Sequence, residues 1–192
     1  RHLVMTGITG TNGKTTIACL TEHILASGQI RAGVIGTINY RYAGEVFDNP
    51  LTTPEAPELQ RILADMRDAG VSHAVMEVSS HGLELERVRG CEFDVAVFSN
   101  LSQDHLDFHK DMRAYGKAKK RLFTEYLRLA GGKRDAGVAV IHTADAAGRE
   151  LAAELTGCRV IRVGAGPENH IYAKDAIFDQ SGIRAQIKTP EG

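Results

Sequence analysis

The stretch HLVMTGITGTNGKTT, residues 2–16, passes from an apolar run through a glycine-rich turn into Gly-Lys-Thr-Thr. No other part of the chain restricts the fold so tightly. The apolar run suits a buried strand. The segment Lys14–Ser27 that follows has helical spacing, with Ile17, Leu20 and Ile24 on one face. Strand, tight turn and helix in direct succession open a βαβ unit, and such units need a parallel sheet covered by helices. Gly7, Gly10 and Gly13 let the backbone turn sharply enough for its N–H groups to face an anion, and Lys14 begins the helix where the dipole favours negative charge. Thr15 places a hydroxyl where Mg²⁺ is held in loops of this kind. The usual loop has glycine six residues before the lysine. Here that position is Ile8, which leaves a variant with glycine at every third residue. Gly10, Thr11, Asn12, Gly13, Lys14, Thr15 and Thr16 are thus the expected contacts to ATP or GTP.

The remaining sequence continues the alternation. AGVIGTI reads as a strand, and NYRYAGEVF as a hairpin about Ala43-Gly44. In TTPEAPELQRILADMRDAG, Thr53 stands where an N-cap belongs and Pro54 at the first helical position. Leu59, Ile62, Leu63 and Met66 make the apolar stripe, and Gly70 closes the helix. HAVMEVSS and FDVAVFSN are short strands that run directly into polar residues, and residues 111–127 read as a helix. AGVAVIH and RVIRVG are strands either side of a helix at residues 146–155, and the tail reads as two antiparallel strands about Ser181-Gly182. The expected fold is α/β: a mostly parallel sheet flanked by helices, P-loop NTPase-like, with additional antiparallel strands and functional residues at the strands' C-terminal ends.

A formal charge of −1 gives no electrostatic footprint for nucleic acid or an anionic membrane, and no apolar run approaches the length that spans a bilayer. The three cysteines have no metal-like spacing and suit a reduced, cytosolic protein. The chain starts inside a strand without methionine and stops at IKTPEG, which suggests a domain cut from a longer protein.

Three further residues carry chemistry. Glu77 ends an apolar strand, where a carboxylate is costly unless neutralised; it is either a Mg²⁺ ligand near Thr15 or a strand-end side chain facing solvent. Asp104, His105, Asp107 and His109 crowd the segment after the next strand; His105 lies nearer the strand end, and a structural role competes with a functional one for each histidine. Lys119 falls within the stripe of Met112, Tyr115, Leu122, Phe123 and Tyr126, whereas Lys117, Lys120 and Arg121 fall outside it. An amine turned inward loses its proton more readily, and a neutral amine can add CO₂ to become a carbamate, an oxygen ligand suited to Mg²⁺. The alternative is snorkelling, with the stem on the core and the charge in water.

TGTNGKTT, LTTPEA, MEVSSHGL and SNLSQDHLDFH…YGKAKKRLF, in this order, closely resemble the central ATP-binding domain of the Mur ligases over essentially the whole chain. TTPEA and EVSSHGL favour the branch that adds the third residue of the cell-wall peptide. The resemblance implies a bacterial, cytoplasmic, ADP-forming ligase that activates the D-Glu carboxylate of UDP-MurNAc-L-Ala-D-Glu as an acyl phosphate. The amine of diaminopimelate or lysine then attacks it. It further implies that Thr15 and Glu77 serve one Mg²⁺, and that His105 and a carbamylated Lys119 serve a second. Lys14, Lys119 and His105 would be catalytic. Thr52, Thr53, Ser79 and Arg87 match positions that hold the UDP-MurNAc-dipeptide, while Leu85 departs from the glutamine of some members. Residues 1–192 would be the central domain alone, with N-terminal UDP-binding and C-terminal domains elsewhere, and would bind nucleotide weakly without ligating. A folylpolyglutamate synthase-like ligase and a P-loop kinase or NTPase are the competing expectations.

Overall fold

The computed structural model describes residues 3–128, 135–180 and 182–191, which form a ten-stranded sheet. β1 (Val4–Thr9) lies inside it. On one side follow β5 (His73–Glu77), β2 (Ala32–Ile35) and the hairpin of β3 (Tyr40–Tyr42) and β4 (Glu45–Phe47). On the other follow β6 (Val95–Phe98), β7 (Val138–His142), β8 (Arg159–Gly164), β9 (Ile171–Asp179) and β10 (Gly182–Lys188). The span from β2 to β9 is parallel; β2–β3, β3–β4 and β9–β10 pair antiparallel. The expected parallel sheet with antiparallel additions is what forms.

Alternation along the strands sends their side chains to two layers. Ile8, Val34 and Val75 face α1 (Lys14–Ser27) through Ala18, with Ile17 and Leu25 packed alongside. Met5, Ile35, Ala74, Met76, Ala96 and Phe98 belong to the larger core. That core includes Leu59, Ile62 and Met66 of α2 (Ala56–Asp68), Leu122 and Phe123 after α5 (Met112–Arg121), and Leu151 of α6 (Ala146–Glu154). Register aligns Ile8 with Glu77 and Thr9 with Phe98, so these strands end along one edge. The chain leaves β1 for one face and β6 for the other. Their loops therefore part at the C-terminal edge, the topological switch point where α/β sheets bind ligands.

Four expectations change. Leu20 and Ile24 are 57% and 70% exposed rather than packed. Thr15 must face Glu77, and this fixes the rotation of α1 so that small Ala18 meets the sheet and Leu20 and Ile24 turn away. Helix α2 begins at Ala56 with Glu55 at the cap position and Pro57 in the first turn, so Thr53 and Pro54 precede it. Thr53 instead turns inward to satisfy the Glu77 carbonyl at the end of β5. The helix expected over residues 111–127 is α-helical only to Arg121, capped by Asp111 through the Ala114 N–H, and continues as a π-helical turn, Leu122–Tyr126. The wider turn brings the consecutive Leu122 and Phe123 both into the core. Two short helices, α3 (Ser80–Glu84) and α4 (Leu106–His109), occupy segments read only as polar. The hairpin at Ala43-Gly44 forms with both residues at positive φ (52° and 89°), the combination a two-residue turn between strands requires. His2, in the first expected strand, and Ser181, in the last expected turn, lie outside the described residues.

Leu59→Ala should lower the unfolding free energy by about 2–5 kcal/mol, because its side chain is wholly buried. Leu20→Ala should change it by less than about 1 kcal/mol. Urea unfolding of both variants checks the assignment of the two helix faces.

Candidate nucleotide and metal site

The glycine-rich turn is pinned from one side. Thr11 N–H donates to the Asn100 carbonyl (2.9 Å) and Asn12 N–H to Asn100 Oδ1 (3.0 Å). Asn100 Nδ2 (3.1 Å) and Ser99 Oγ (2.7 Å) both donate to the Asn12 carbonyl. Close approach sets the need for glycine: a Cβ at Gly10 would lie 1.9 Å from Ser99 Oγ, and its φ is +138°. Since Asn100 takes the Thr11 and Asn12 amides, the donors aimed out of the loop are those opening α1. That helix has Gly13 at its cap position, no side-chain cap and no acidic residue in its first turn. The amides of Lys14, Thr15 and Thr16 therefore point from the helix end toward the crevice, an anion site in backbone geometry alone. Lys14 Nζ lies within the loop, donating to the carbonyls of Gly10 (3.1 Å) and Thr11 (2.9 Å). Burial lowers its pKa, against the opposing pull of Glu77 and Asp104.

Glu77 is 1% exposed, so the solvent-facing alternative does not apply. Thr15 Oγ1 donates to its Oε2 (3.0 Å), Thr37 N–H to its Oε1 (3.0 Å) and Thr37 Oγ1 to its Oε2 (3.0 Å). A Cβ at Gly36 would meet Oε1 at 2.3 Å, so the backbone of this loop lies directly against the carboxylate.

Lys119 is equally buried, at 1% exposure, and does not snorkel. Its Nζ donates to the Gly10 carbonyl (2.8 Å) and lies 4.4 Å from the centre of the Tyr115 ring. Burial first, then repulsion from Lys14, pushes its pKa down to about 7, with Asp104 acting the other way. Tyr115 also meets Thr11, hydroxyl to hydroxyl at 3.3 Å. His105 is exposed, at φ +52°, with Nε2 3.4 Å from Asp104 Oδ2. Its ring centre is 4.9 Å from that of His81 and 6.1 Å from that of Tyr115, so the Tyr115 ring contacts both His105 and Lys119. His109 is buried against His81 and Tyr115, and burial lowers its pKa. Among the described residues no group of three or more His, Cys, Asp or Glu side chains could hold a metal.

The residues matched to substrate positions gather about Thr53 and Thr37 but differ in availability. Thr53 is fully buried: its hydroxyl donates to the Glu77 carbonyl (3.0 Å), accepts from Ser79 N–H (3.0 Å) and meets Ser79 Oγ at 3.1 Å. As folded it has no valence left for a substrate and acts as a fastener. Ser79 Oγ accepts from Gly82 N–H (3.0 Å), capping α3. Arg87 is held by Glu55 (2.8 Å) and the Thr53 carbonyl (3.2 Å). Thr52 is half-buried and meets Thr37, hydroxyl to hydroxyl at 3.1 Å. Sequence reasoning passed over Thr37, Ser99, Asn100 and Tyr115. Thr37, Ser99 and Asn100 follow the C-terminal ends of β2 and β6, which was the available signal. In sequence Tyr115 is one position of an apolar stripe.

A phosphate-type loop at the switch point of a parallel sheet, beside a buried carboxylate and a buried lysine, defines an α/β protein with a P-loop NTPase-like fold. The Mur ligase middle domain matches residues 8–192, and the chain belongs to the Mur ligase family. It is 45% identical over 186 residues to UDP-N-acetylmuramoyl-L-alanyl-D-glutamate--2,6-diaminopimelate ligase of Geobacter metallireducens, covering 97% of this chain and 36% of the relative. It is also 45% identical over 192 residues to the ligase of the same name from Gloeobacter violaceus, covering 100% and 37%. A solved structure of such a ligase superposes with a TM-score of 0.85 at 33% identity, covering 100% of this chain and 38% of that one. A bifunctional folylpolyglutamate synthase/dihydrofolate synthase from Yersinia pestis shares the fold, with TM-score 0.63 and 21% identity over 95% and 46% of the two chains. The chain thus spans little more than a third of the length of these curated relatives.

Gly13→Ala should cost about 1–2 kcal/mol from its left-handed backbone alone, since an added Cβ there meets nothing within 4 Å. Gly10→Ala should cost more, because the clash with Ser99 is added; denaturant unfolding ranks the two. For Lys119, the folded pKa lies below the unfolded 10.5. The folded state therefore binds fewer protons, and the burial penalty, full below about pH 7, is relieved as pH rises to 10.5. The stability of Lys119→Met relative to the unsubstituted chain should fall over that window by an amount on the order of a few kcal/mol, measured by unfolding at several pH values.

Proposed function

We propose that this chain is the nucleotide-binding part of an ATP-dependent acid–amino-acid ligase of peptidoglycan precursor synthesis. Its acyl substrate is UDP-MurNAc-L-Ala-D-Glu and its amine is 2,6-diaminopimelate. The observation that carries the reading is the meeting, at one phosphate loop, of the Thr15–Glu77 oxygen pair with the buried amine of Lys119. The names of relatives at 45% identity favour diaminopimelate over lysine and the peptidoglycan ligase over a folate ligase, whose likeness is of fold alone. A simple NTPase gives no reason to bury a lysine beside the loop.

The donor set fits Mg²⁺. Thr15 Oγ1 and Glu77 Oε2 are 3.0 Å apart, the separation of about 3 Å that adjacent oxygens adopt on an octahedral ion with ligands at 2.0–2.1 Å. The ion, when bound, would offset charge on the terminal phosphates. Lys14 and the first-turn amides of α1 neutralise the same phosphates, so the D-glutamyl carboxylate can approach the γ-phosphorus without prohibitive repulsion. Carboxylate oxygen attacks phosphorus, the bond to the β,γ-bridging oxygen breaks, and ADP leaves an acyl phosphate. The diaminopimelate amine then attacks the acyl carbon, loses a proton, and expels inorganic phosphate. Holding the reactants together supplies much of the acceleration.

The neutral amine of Lys119 would add to CO₂ with loss of one N–H proton, giving a carbamate that would keep an N–H for the Gly10 carbonyl and supply oxygen ligands suited to a second Mg²⁺. His105, whose ring also meets that of Tyr115, is its proposed companion. Thr52, Ser79 and Arg87 hold the muramoyl peptide. Arg87 would exchange its bond to Glu55 for a substrate anion. The remainder of the longer protein would bind the uridine end and the incoming amino acid. The reaction is assigned to the bacterial cytoplasm; among the described residues no helix is long and apolar enough to cross a membrane.

The full-length protein should turn ATP over to ADP only when UDP-MurNAc-L-Ala-D-Glu is supplied together with an amine, either diaminopimelate or hydroxylamine, the latter trapping the acyl phosphate as a hydroxamate. Glu77→Gln should lower kcat by at least ~100-fold, about 2.7 kcal/mol. ADP release indifferent to the muramoyl substrate would refute the reading. Incubation with ¹³C-bicarbonate should give a carbamate resonance that is lost in Lys119→Ala and declines below about pH 7, as Lys119 becomes protonated.

A further inference from the structure

The hydroxyl of Thr37 has one proton, and the Glu77 carboxylate only accepts. At 3.0 Å from Glu77 Oε2, that proton is committed to the carboxylate. Thr37 Oγ1 then meets Thr52 Oγ1 at 3.1 Å solely as an acceptor, so the Thr52 proton points to Thr37. The direction of the chain is therefore fixed from its buried end: Thr52 donates to Thr37, and Thr37 donates to Glu77. Thr37 also gives its backbone N–H to the other carboxylate oxygen, 3.0 Å away. Gly36 lies so close that any side chain there would strike Oε1.

We propose that Thr37 is a positioning residue that clamps both oxygens of Glu77 and, through Thr52, couples that carboxylate to the acyl-substrate loop. Two consequences follow from the geometry. The clamp holds Glu77 with Oε2 at 3.0 Å from Thr15 Oγ1, where the proposed function puts the metal. Thr52, its proton spent, offers only lone pairs outward, and so suits a substrate N–H or O–H rather than a carboxylate or phosphate oxygen. A ligand that draws on Thr52 alters the polarisation of Thr37 and hence of Glu77, which links the two sites reciprocally. The inference deepens the ligase reading and rests on it for the metal.

The test is Mn²⁺ affinity of the full-length protein with ADP, read by electron paramagnetic resonance, with and without UDP-MurNAc-L-Ala-D-Glu. Thr37→Val keeps the shape and the backbone N–H but removes the hydroxyl. Thr37→Ala repeats that loss with a smaller side chain, should the valine pack badly. Both should weaken Mn²⁺ binding about 10-fold or more, within the range for lost partners of metal ligands, while Thr37→Ser restores it to within about twofold. In the unsubstituted protein the muramoyl substrate should shift Mn²⁺ affinity, and both hydroxyl-free variants should abolish the shift. Glu77→Gln separates the two ways of failing. If it leaves Mn²⁺ affinity unchanged, the metal reading of Glu77 falls and the clamp with it. If it weakens binding but Thr37→Val and Thr37→Ala match the unsubstituted protein, only the clamp is overturned.

Discussion

Burying a carboxylate at the end of a parallel strand is costly, and the site is organised around meeting that cost with hydrogen bonds. Glu77 draws donors from the first turn of α1 and from the loop after β2, while its own carbonyl takes the hydroxyl of Thr53. Each of those partners belongs to a different segment. Satisfying this one residue, side chain and carbonyl, therefore fixes the rotation of α1, the path of residues 36–37 and the start of the segment leading into α2. The exposure of Leu20 and Ile24 is one outcome of this constraint.

The opposite wall rests on a second close fit. Ser99 and Asn100 take up the carbonyl of Asn12 and the amides of Thr11 and Asn12, and only glycine is tolerated at residue 10. The loop is preorganised by these bonds, so its remaining donors need no rearrangement to meet an anion. Lys119 uses the same loop from the far side through the Gly10 carbonyl. Lys14 and Lys119 thus converge on one carbonyl, and the pKa of Lys119 falls to about 7. Their mutual repulsion contributes to that fall, and burial contributes more.

Much of the site was legible because its signals are local. Glycine spacing, a lysine at a helix start, a carboxylate at the end of an apolar strand and a lysine within an apolar stripe all follow from short-range periodicity. Thr53 is not legible in this way, because an N-cap and an inward-facing fastener look alike in sequence; the choice depends on the carbonyl at the end of β5. Thr37 and Asn100 went unnoticed because each acts on a partner 40 or 88 residues away, with no periodic pattern to announce it.

By itself the sequence determined the alternation of strands and helices, the phosphate-type loop and the place of Lys119 within an apolar stripe, because each depends on the order of apolar and polar side chains along a few turns of chain. Only the tertiary structure decided which hydroxyls satisfy Glu77, which loop amides remain for an anion and which of two adjacent threonines is available at the surface. Those outcomes depend on the register of β1 with β5 and β6, which brings the ends of separate strands to one edge. Hydrogen-bond valences can be assigned only after that edge exists.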